Sequence, residues 1–285
     1  MSDDGQHGLT LIAFVGSVFS PYYAWARKSG GDPEHHCALN VALYSRAARR
    51  WCMTERGRRH CHREAGQFQI GPSALRWNGQ SLEIDICETG CPIPHRVVGR
   101  VRLHPERLFT FHTALDPSGR HRWGPIAPSA RIEVELDHPA QRWSGHAYLD
   151  SNEGDEPIEN AFHTWDWSRS RMKDGSTVVL YDMQWPDNER LLSLRFDPHG
   201  GVQDIPAPTR RPLRKTLWGL SRGLRSSGPV QVKSQLEDTP FYQRALLHSE
   251  LLGEQVESFH ETLSIPRLRS PVVRAMLPFR MPRTA

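Results

Sequence analysis

Asn160-Ala-Phe-His-Thr-Trp-Asp-Trp-Ser-Arg169, returning after Lys173-Asp-Gly175 as Thr177-Val-Val-Leu-Tyr-Asp-Met-Gln-Trp185, points to a mainly β chain. Both arms alternate in character, and the Lys-Asp-Gly break between them supplies turn chemistry, so the whole reads as a β-hairpin. Successive side chains on a strand point to opposite faces. His163, Trp165, Trp167 and Arg169 therefore share one face of the first arm, and Phe162, Thr164, Asp166 and Ser168 share the other. On the return arm Val178, Leu180 and Asp182 share a face, opposite to Tyr181, Met183 and Trp185. One reading is an aromatic wall with an acid ending an apolar row. The plainer one is core aromatics with a solvated Asp at a strand end, and spacing alone does not choose between them.

Composition agrees with a mainly β chain. Its 285 residues can bury a proper core in one large β-domain or two smaller ones, and 22 Pro, 22 Gly and nine Trp suit many short strands joined by turns. A net charge of +4 is too weak a field to argue for nucleic acid, and no basic helix or RNA-binding signature accompanies it. Cys37, Cys52, Cys61, Cys87 and Cys91 are odd in number and irregular in spacing, without a signal peptide before them, which predicts reduced thiols in a reducing compartment. Neither His60-Cys61-His62 nor the Cys87/Cys91 pair has a partner at zinc spacing, so no metal site is expected. The longest apolar run, Leu9 to Gly16, is far short of the roughly 20 residues that a membrane-crossing helix needs.

Alternating segments recur along the chain at Leu9–Ser17, Cys37–Tyr44, Arg50–Glu55, Gln67–Ile70, Ala74–Trp77, Ser81–Glu88, Val97–Leu103, Leu108–Leu115, Arg131–Leu136, Leu191–Asp197, Val230–Ser234 and Gln255–Ile265. Asn78-Gly79 is a hairpin turn signal. Pro21 interrupts the first strand, and Phe19, Tyr22 and Tyr23 gather beside it as a pocket rim or as an aromatic corner plugging a barrel end. The Pro-rich stretch from His121 to Ser129 marks an expected domain boundary near residue 125, giving halves 1–125 and 126–285. Asp150 and Asn152 stand in an acidic turn, where capping is the ordinary role of short polar side chains. The last twenty residues hold five Arg and no acid, a composition suited either to an anionic membrane surface or to packing along the protein's own barrel.

Longer strings carry a resemblance: Ile12-Ala-Phe-Val-Gly-Ser-Val-Phe-Ser-Pro-Tyr-Tyr, His36-Cys-Ala-Leu-Asn-Val-Ala-Leu-Tyr, Met53-Thr-Glu-Arg-Gly-Arg, Leu236-Glu-Asp-Thr-Pro-Phe-Tyr and Met276-Leu-Pro-Phe-Arg-Met-Pro-Arg. The chain resembles the carotenoid 1,2-hydratases, also called hydroxyneurosporene synthases, of phototrophic bacteria, over essentially every residue from Gly8 to Arg283. Members of that family usually begin further upstream, with a strand pairing onto the turn that stands here at Asp4-Gly5, so the first half is expected to lack a strand. The resemblance implies a lipocalin-like double β-barrel of two calycin-like halves. It also implies a cofactor-free lyase, peripheral to the cytoplasmic side of the inner (intracytoplasmic) membrane, that adds water to the terminal 1,2 double bond of an acyclic carotenoid such as neurosporene or lycopene.

That reaction needs a neutral acid to protonate C2, aromatic faces beside the tertiary cation at C1, and a held water. Asp182, after Val178 and Leu180, is the candidate acid because an apolar setting keeps a carboxyl protonated; Asp150 and Asp166 are the substitutes. Trp165 and Trp167 offer π-faces to the cation, and His163 and Tyr181 offer hydrogen-bonding groups to the water. Parity puts Tyr181 and Asp182 on opposite faces unless a bulge intervenes, so both assignments do not fit a regular strand. Phe19, Tyr22, Tyr23 and Trp167 are the expected substrate contacts. The competing readings are a carrier that binds a polyene without chemistry, and a cyclase or isomerase that excludes water.

Overall fold

Strands form nearly everywhere that the residues alternate. The computed structural model describes residues 1–45 and 48–284, and contains two compact units of interleaved segments: Met1–Pro105 with Ala130–Ala147 and Arg274–Ala285, and Glu106–Ser129 with Tyr148–Val273. The boundary expected near residue 125 falls inside a strand, and the chain passes between the units after residues 105, 129, 147 and 273.

In the first unit β1 (Leu9–Val15), β2 (Cys37–Tyr44) and β3 (Arg49–Arg56) pair in antiparallel order, with β1 at the sheet's edge. β4 (Cys61–Glu64), β5 (Gln67–Ile70), β6 (Ser73–Trp77), β7 (Leu82–Thr89) and β8 (Arg96–Pro105) follow as a meander. β2 is buried along its whole length. Its Leu39, Val41 and Leu43 face join Ile84, Ile86, Val101, Ile132 and Val134 in one apolar core, while Ala38 packs on the other side with Met53 and Met281. The Asn78-Gly79 signal is used as expected: Gly79 takes φ +94° and Asn78 Oδ1 accepts from the Gln80 and Ser81 amides. Pro21 does not merely end a strand. It opens a short helix, α1 (Pro21–Ala26), where its missing N–H costs nothing and Ser20 accepts from the Tyr23 amide.

β9 (Thr113–Ala114) is all that forms of the strand expected over Leu108–Leu115. Phe109 and Phe111 pack their rings on Phe196 and Trp123, and scattered backbone bonds such as Phe109 N to Ile126 O at 2.9 Å hold the rest of the segment. β10 (His121–His138) and β11 (Ala140–Gly154) are long strands, and β10 runs straight through the prolines that read as a linker. After α2 (Ile158–Ala161), the hairpin of the opening stretch appears as β12 (Thr164–Arg171) and β13 (Thr177–Gln184), with Gly175 at φ +84° in its turn. Then come β14 (Glu189–Phe196), β15 (Val202–Asp204), the small hairpin of β16 (Arg210–Leu213) and β17 (Arg222–Arg225), and β18 (Gln231–Asp238), β19 (Tyr242–Leu251) and β20 (Glu254–Ser264). The second unit's main sheet has the order β15-β14-β13-β12-β20-β19-β18. The chain ends through α3 (Ile265–Leu268), α4 (Pro271–Arg280) and β21 (Arg283–Thr284), which pairs with β3. No helix among the described residues is long and apolar enough to cross a membrane.

Candidate active site

The two faces of the β12–β13 hairpin have become two different environments. Trp167 stands opposite Tyr181, and Asp166 stands opposite Asp182. Extending the register across β20 adds Phe259, Glu261 and Leu263 to the Trp167 face, and His260 and Thr262 to the Asp166 face.

The Asp166 face is a closed set of ion pairs. Asp166 and Asp182, cross-strand neighbours, meet Arg210 and Arg225, which are themselves cross-strand neighbours on β16 and β17. Arg225 grips Asp182 at 2.7–3.0 Å on both carboxylate oxygens. Burial pushes the Asp182 carboxyl above its ordinary range, and Arg225 pulls against that shift. Burial would raise Asp166 as well, but His260, Arg210 and Thr262 outweigh it and hold the carboxyl below its ordinary range. Gln243 continues this network to His260 Nδ1 at 2.9 Å and to Arg222 Nη1 at 2.8 Å. The arrangement fastens the β16–β17 hairpin to the sheet, Asp166 and Asp182 each with an arginine counter-charge.

The Trp167 face gathers groups from strands that the hairpin alone does not reveal. His121 and Trp123 on β10 lie two residues apart, as do Tyr148 and Asp150 on β11, so each pair shares a strand face. Trp123 is fully buried, packs edge-on against Tyr181 at 5.9 Å, and donates from Nε1 to Asp150 Oδ2 at 2.9 Å. Burial drives the Asp150 carboxyl up to about 6, against the Trp123 hydrogen bond, while Glu261 adds to the rise. Tyr148 stacks obliquely on Trp167 at 5.5 Å. Among the described residues the Trp167 Nε1 is buried without a hydrogen-bond partner, and the Tyr148 hydroxyl makes no hydrogen bond of normal length, although it lies close enough to the Asp150 carboxyl to favour its ionised form. Burial also pushes the Tyr148 and Tyr181 phenols well above their ordinary range, Asp150 contributing to both.

Arg169 extends from the same face over the Tyr148 and Phe259 rings at 5.2 and 5.3 Å, and burial lowers its guanidinium below the ordinary value. Tyr148, Asp150 and Arg169 are partly buried. His121 is a buried imidazole kept toward its neutral form by desolvation; its Nε2 lies 3.9 Å from Glu156 and makes no hydrogen bond among the described residues. A chain of ring contacts runs from His121 through Phe162 and Trp165 to Tyr181.

The structure thus brings Trp165, Trp167, Tyr181 and Asp150 together and sets Asp182 and Asp166 on the opposite side of the sheet. His163 is exposed just before β12, where its carbonyl accepts from Ile265 N at 2.9 Å. Phe19, Tyr22 and Tyr23 belong to the other unit: Phe19 packs on Phe14, Tyr23 on His36, and Tyr22 lies under Arg283, which is paired with the buried Glu55. His121, Trp123, Tyr148 and Arg169 were not picked out from the sequence as site residues. The signal that points to the first three is the period-2 pairing in His121-Arg-Trp123 and Tyr148-Leu-Asp150, which a linker and a turn had masked.

Residues 11–285 match the family described as carotenoid hydratase CrtC. The chain belongs to that family. It is 58% identical over 291 residues to an acyclic carotenoid 1,2-hydratase of Rubrivivax gelatinosus, covering all of this chain and 72% of the relative. Identity to the protein of the same name from Thiocapsa roseopersicina is 52% over 288 residues, covering 99% of this chain and 71% of that one. Among solved structures, a protein described as AttH from Nitrosomonas europaea superposes with a TM-score of 0.65 at 13% identity, over 92% of this chain and 88% of that one. That likeness speaks to the fold alone.

Proposed function

We propose that the protein is an acyclic carotenoid 1,2-hydratase and that Asp150 is its acid. The observation behind the second part is a carboxyl raised to about 6 by burial on the same face as Trp123, Tyr148, Trp167 and Tyr181. In this reading neutral Asp150 gives its proton to C2 of the terminal C1=C2 bond, leaving a tertiary cation at C1 and a carboxylate. The rings of Trp123, Trp165, Trp167 and Tyr181 present negative π-faces, each contributing about 2 kcal/mol to a desolvated cation, and the new carboxylate adds its charge. The Tyr148 hydroxyl, beside the Asp150 carboxyl, and the Trp167 Nε1 are the groups that would hold the attacking water. Water adds at C1 and releases one proton, for which this face offers two acceptors: the Asp150 carboxylate just formed and the neutral imidazole of His121. The proton ends on Asp150, taken directly or passed on from His121, and the cycle returns to its start with one water gained by the substrate.

Asp182 serves that role less well, because both its oxygens already accept from Arg225. A lipocalin-like double barrel of two calycin-like halves is the finer architecture we propose for the two units. A polyene carrier would have no use for a desolvated acid beside hydrogen-bond donors. Replacing Asp150 with Asn separates these readings: the hydratase loses turnover while keeping carotenoid binding, whereas a carrier is indifferent. An Asp150→Asn protein that still hydrates neurosporene or lycopene would overturn the assignment of the acid.

A further inference from the structure

We infer that Cys37 and Cys61 are an oxidisable dithiol site in the first unit, where Cys61 takes an oxygen atom from a hydroperoxide and Cys37 then closes a disulfide onto it. All five thiols of the chain are free. These two are far apart in sequence, one opening β2 and the other opening β4. The path of β3 brings them together. Cys37 stands opposite Arg56, the last residue of β3, and the short turn over residues 57–60 folds the chain back so that Cys61 Sγ lies 3.9 Å from the Arg56 carbonyl oxygen. The two sulfurs are within hydrogen-bond reach of each other, Cys37 donating and Cys61 accepting.

Both residues line one cavity of about 220 Å³ within the first unit, walled by Val15 and Phe68 and edged by Glu34, Arg58 and Arg63. At roughly 30 Å³ per water molecule, that space admits hydrogen peroxide or a short alkyl hydroperoxide. Arg58 and Arg63 both donate to Glu34, at 2.7 and 3.2 Å. The positive groups at the cavity thus have their counter-charge already, which favours a small neutral oxidant over an anionic ligand.

The two thiols are unequal, as an attacking and a resolving sulfur have to be. Cys37 is 1% exposed, and the hydrogen bond that it donates to Cys61, together with burial, keeps it protonated. Cys61 is half-buried. The same hydrogen bond, with the Arg56 guanidinium and the Gly71 amide, favours its thiolate and holds it below the ordinary range against its own burial. Cys52, in the same apolar core, is instead pushed up to about 12 by burial, and its Sγ lies 3.9 Å from the His95 carbonyl oxygen.

In the first step the Cys61 thiolate attacks one peroxide oxygen. An S–O bond forms, the O–O bond breaks, and the departing oxygen takes up a proton and leaves as an alcohol or water. The sulfur is now a sulfenic acid, oxidised by the two electrons that the peroxide gained. The Cys37 sulfur then attacks Cys61, the S–O bond breaks, and the hydroxyl leaves as water with the Cys37 proton. Two thiols and one hydroperoxide give one disulfide, one alcohol or water, and one further water. The new bond would tie β2 of the four-stranded sheet to β4, an end strand of the eight-stranded sheet, and close a loop that restricts the unfolded chain.

Peptide masses and unfolding midpoints are read without turnover, so the dithiol and the hydratase reading can fail separately. The test treats the reduced full chain with hydrogen peroxide, alkylates it after denaturation and maps its peptides by mass. Cys37 and Cys61 are expected as one cross-linked pair lacking two hydrogens, with Cys52, Cys87 and Cys91 alkylated. Cys61 should be oxidised at least about tenfold faster than Cys87 or Cys91. In Cys37→Ser, Cys61 should stop at the sulfenic acid and be trapped by dimedone, while Cys61→Ser should leave Cys37 a thiol. The oxidised wild type should unfold at higher urea than the reduced protein, and dithiothreitol should restore the lower midpoint. Disulfides joining other cysteines, a Cys61 no faster than Cys87 and Cys91, or a wild-type Cys61 that is oxidised without bonding to Cys37 would each overturn the proposal.

Discussion

Replacing Asp150 with Asn should abolish turnover and at the same time make the protein more stable at neutral pH. The magnitude follows from the environment. Burial carries the carboxyl from 3.8 to about 6, a difference of about two pH units, which corresponds to roughly 3 kcal/mol between the ionised and neutral forms. Because the folded-state value is the higher one, the stability contributed by the neutral acid is complete below about 3.8 and is lost as pH rises through about 6. At pH 8 the wild type bears the full cost of an ionised, desolvated carboxylate. Asn does not titrate, and its carbonyl can still accept from Trp123 Nε1. Urea unfolding of both proteins at several pH values should therefore show the variant more stable by up to roughly 3 kcal/mol at pH 8, with the gap closing toward pH 4. Turnover should fall by about 10²- to 10⁴-fold, the usual contribution of a positioned acid. A variant no more stable than wild type at pH 8, or one that keeps its turnover, would refute the argument.

Other perturbations follow from the same geometry. Wild-type turnover should decline as pH rises through about 6, as Asp150 ionises. Arg169→Met removes a positive charge that favours the Asp150 anion, so the alkaline limb of the pH–rate profile should move to higher pH; an unmoved limb would exclude Arg169 from the site's electrostatics. Arg225→Met leaves Asp182 buried without its counter-charge and should cost about 3–5 kcal/mol in urea unfolding. Asp182→Asn should retain hydration per folded molecule, measured as turnover normalised to the folded fraction. In the other unit, Arg56→Met strands Glu88, whose buried carboxyl accepts from Arg56 at 2.8 Å, and should destabilise by a similar amount with no change in the pH–rate profile.

The mainly β class was legible because alternation survives into the structure: Leu39, Val41 and Leu43, and Ile132, Val134 and Leu136, occupy the core faces that parity assigns. Both turn signals, Asn78-Gly79 and Lys173-Asp174-Gly175, also form turns. The unit boundaries were less legible, since Pro125 and Pro128 lack donors and read as a linker, yet both stand within β10. In the candidate site, parity separated Tyr181 from Asp182 correctly, and the register confirms a regular hairpin without a bulge. Parity could not show which face holds the arginines. Arg210 and Arg225 lie more than forty residues from the acids that they pair with, and such long-range pairing leaves no periodic trace. Asp150 was visible only as a turn residue, because the burial that distinguishes it comes with sheet formation, which also brings it the Trp123 Nε1 donor.

The most direct test is to incubate the purified protein with neurosporene or lycopene in mild detergent and oxygen-18 water, and to follow product mass for wild type, Asp150→Asn and Asp182→Asn. Gain of one labelled water by wild type and by folded Asp182→Asn, but not by Asp150→Asn, is the predicted result. Hydration by Asp150→Asn, or no labelled product from wild type with carotenoid binding intact, would contradict it.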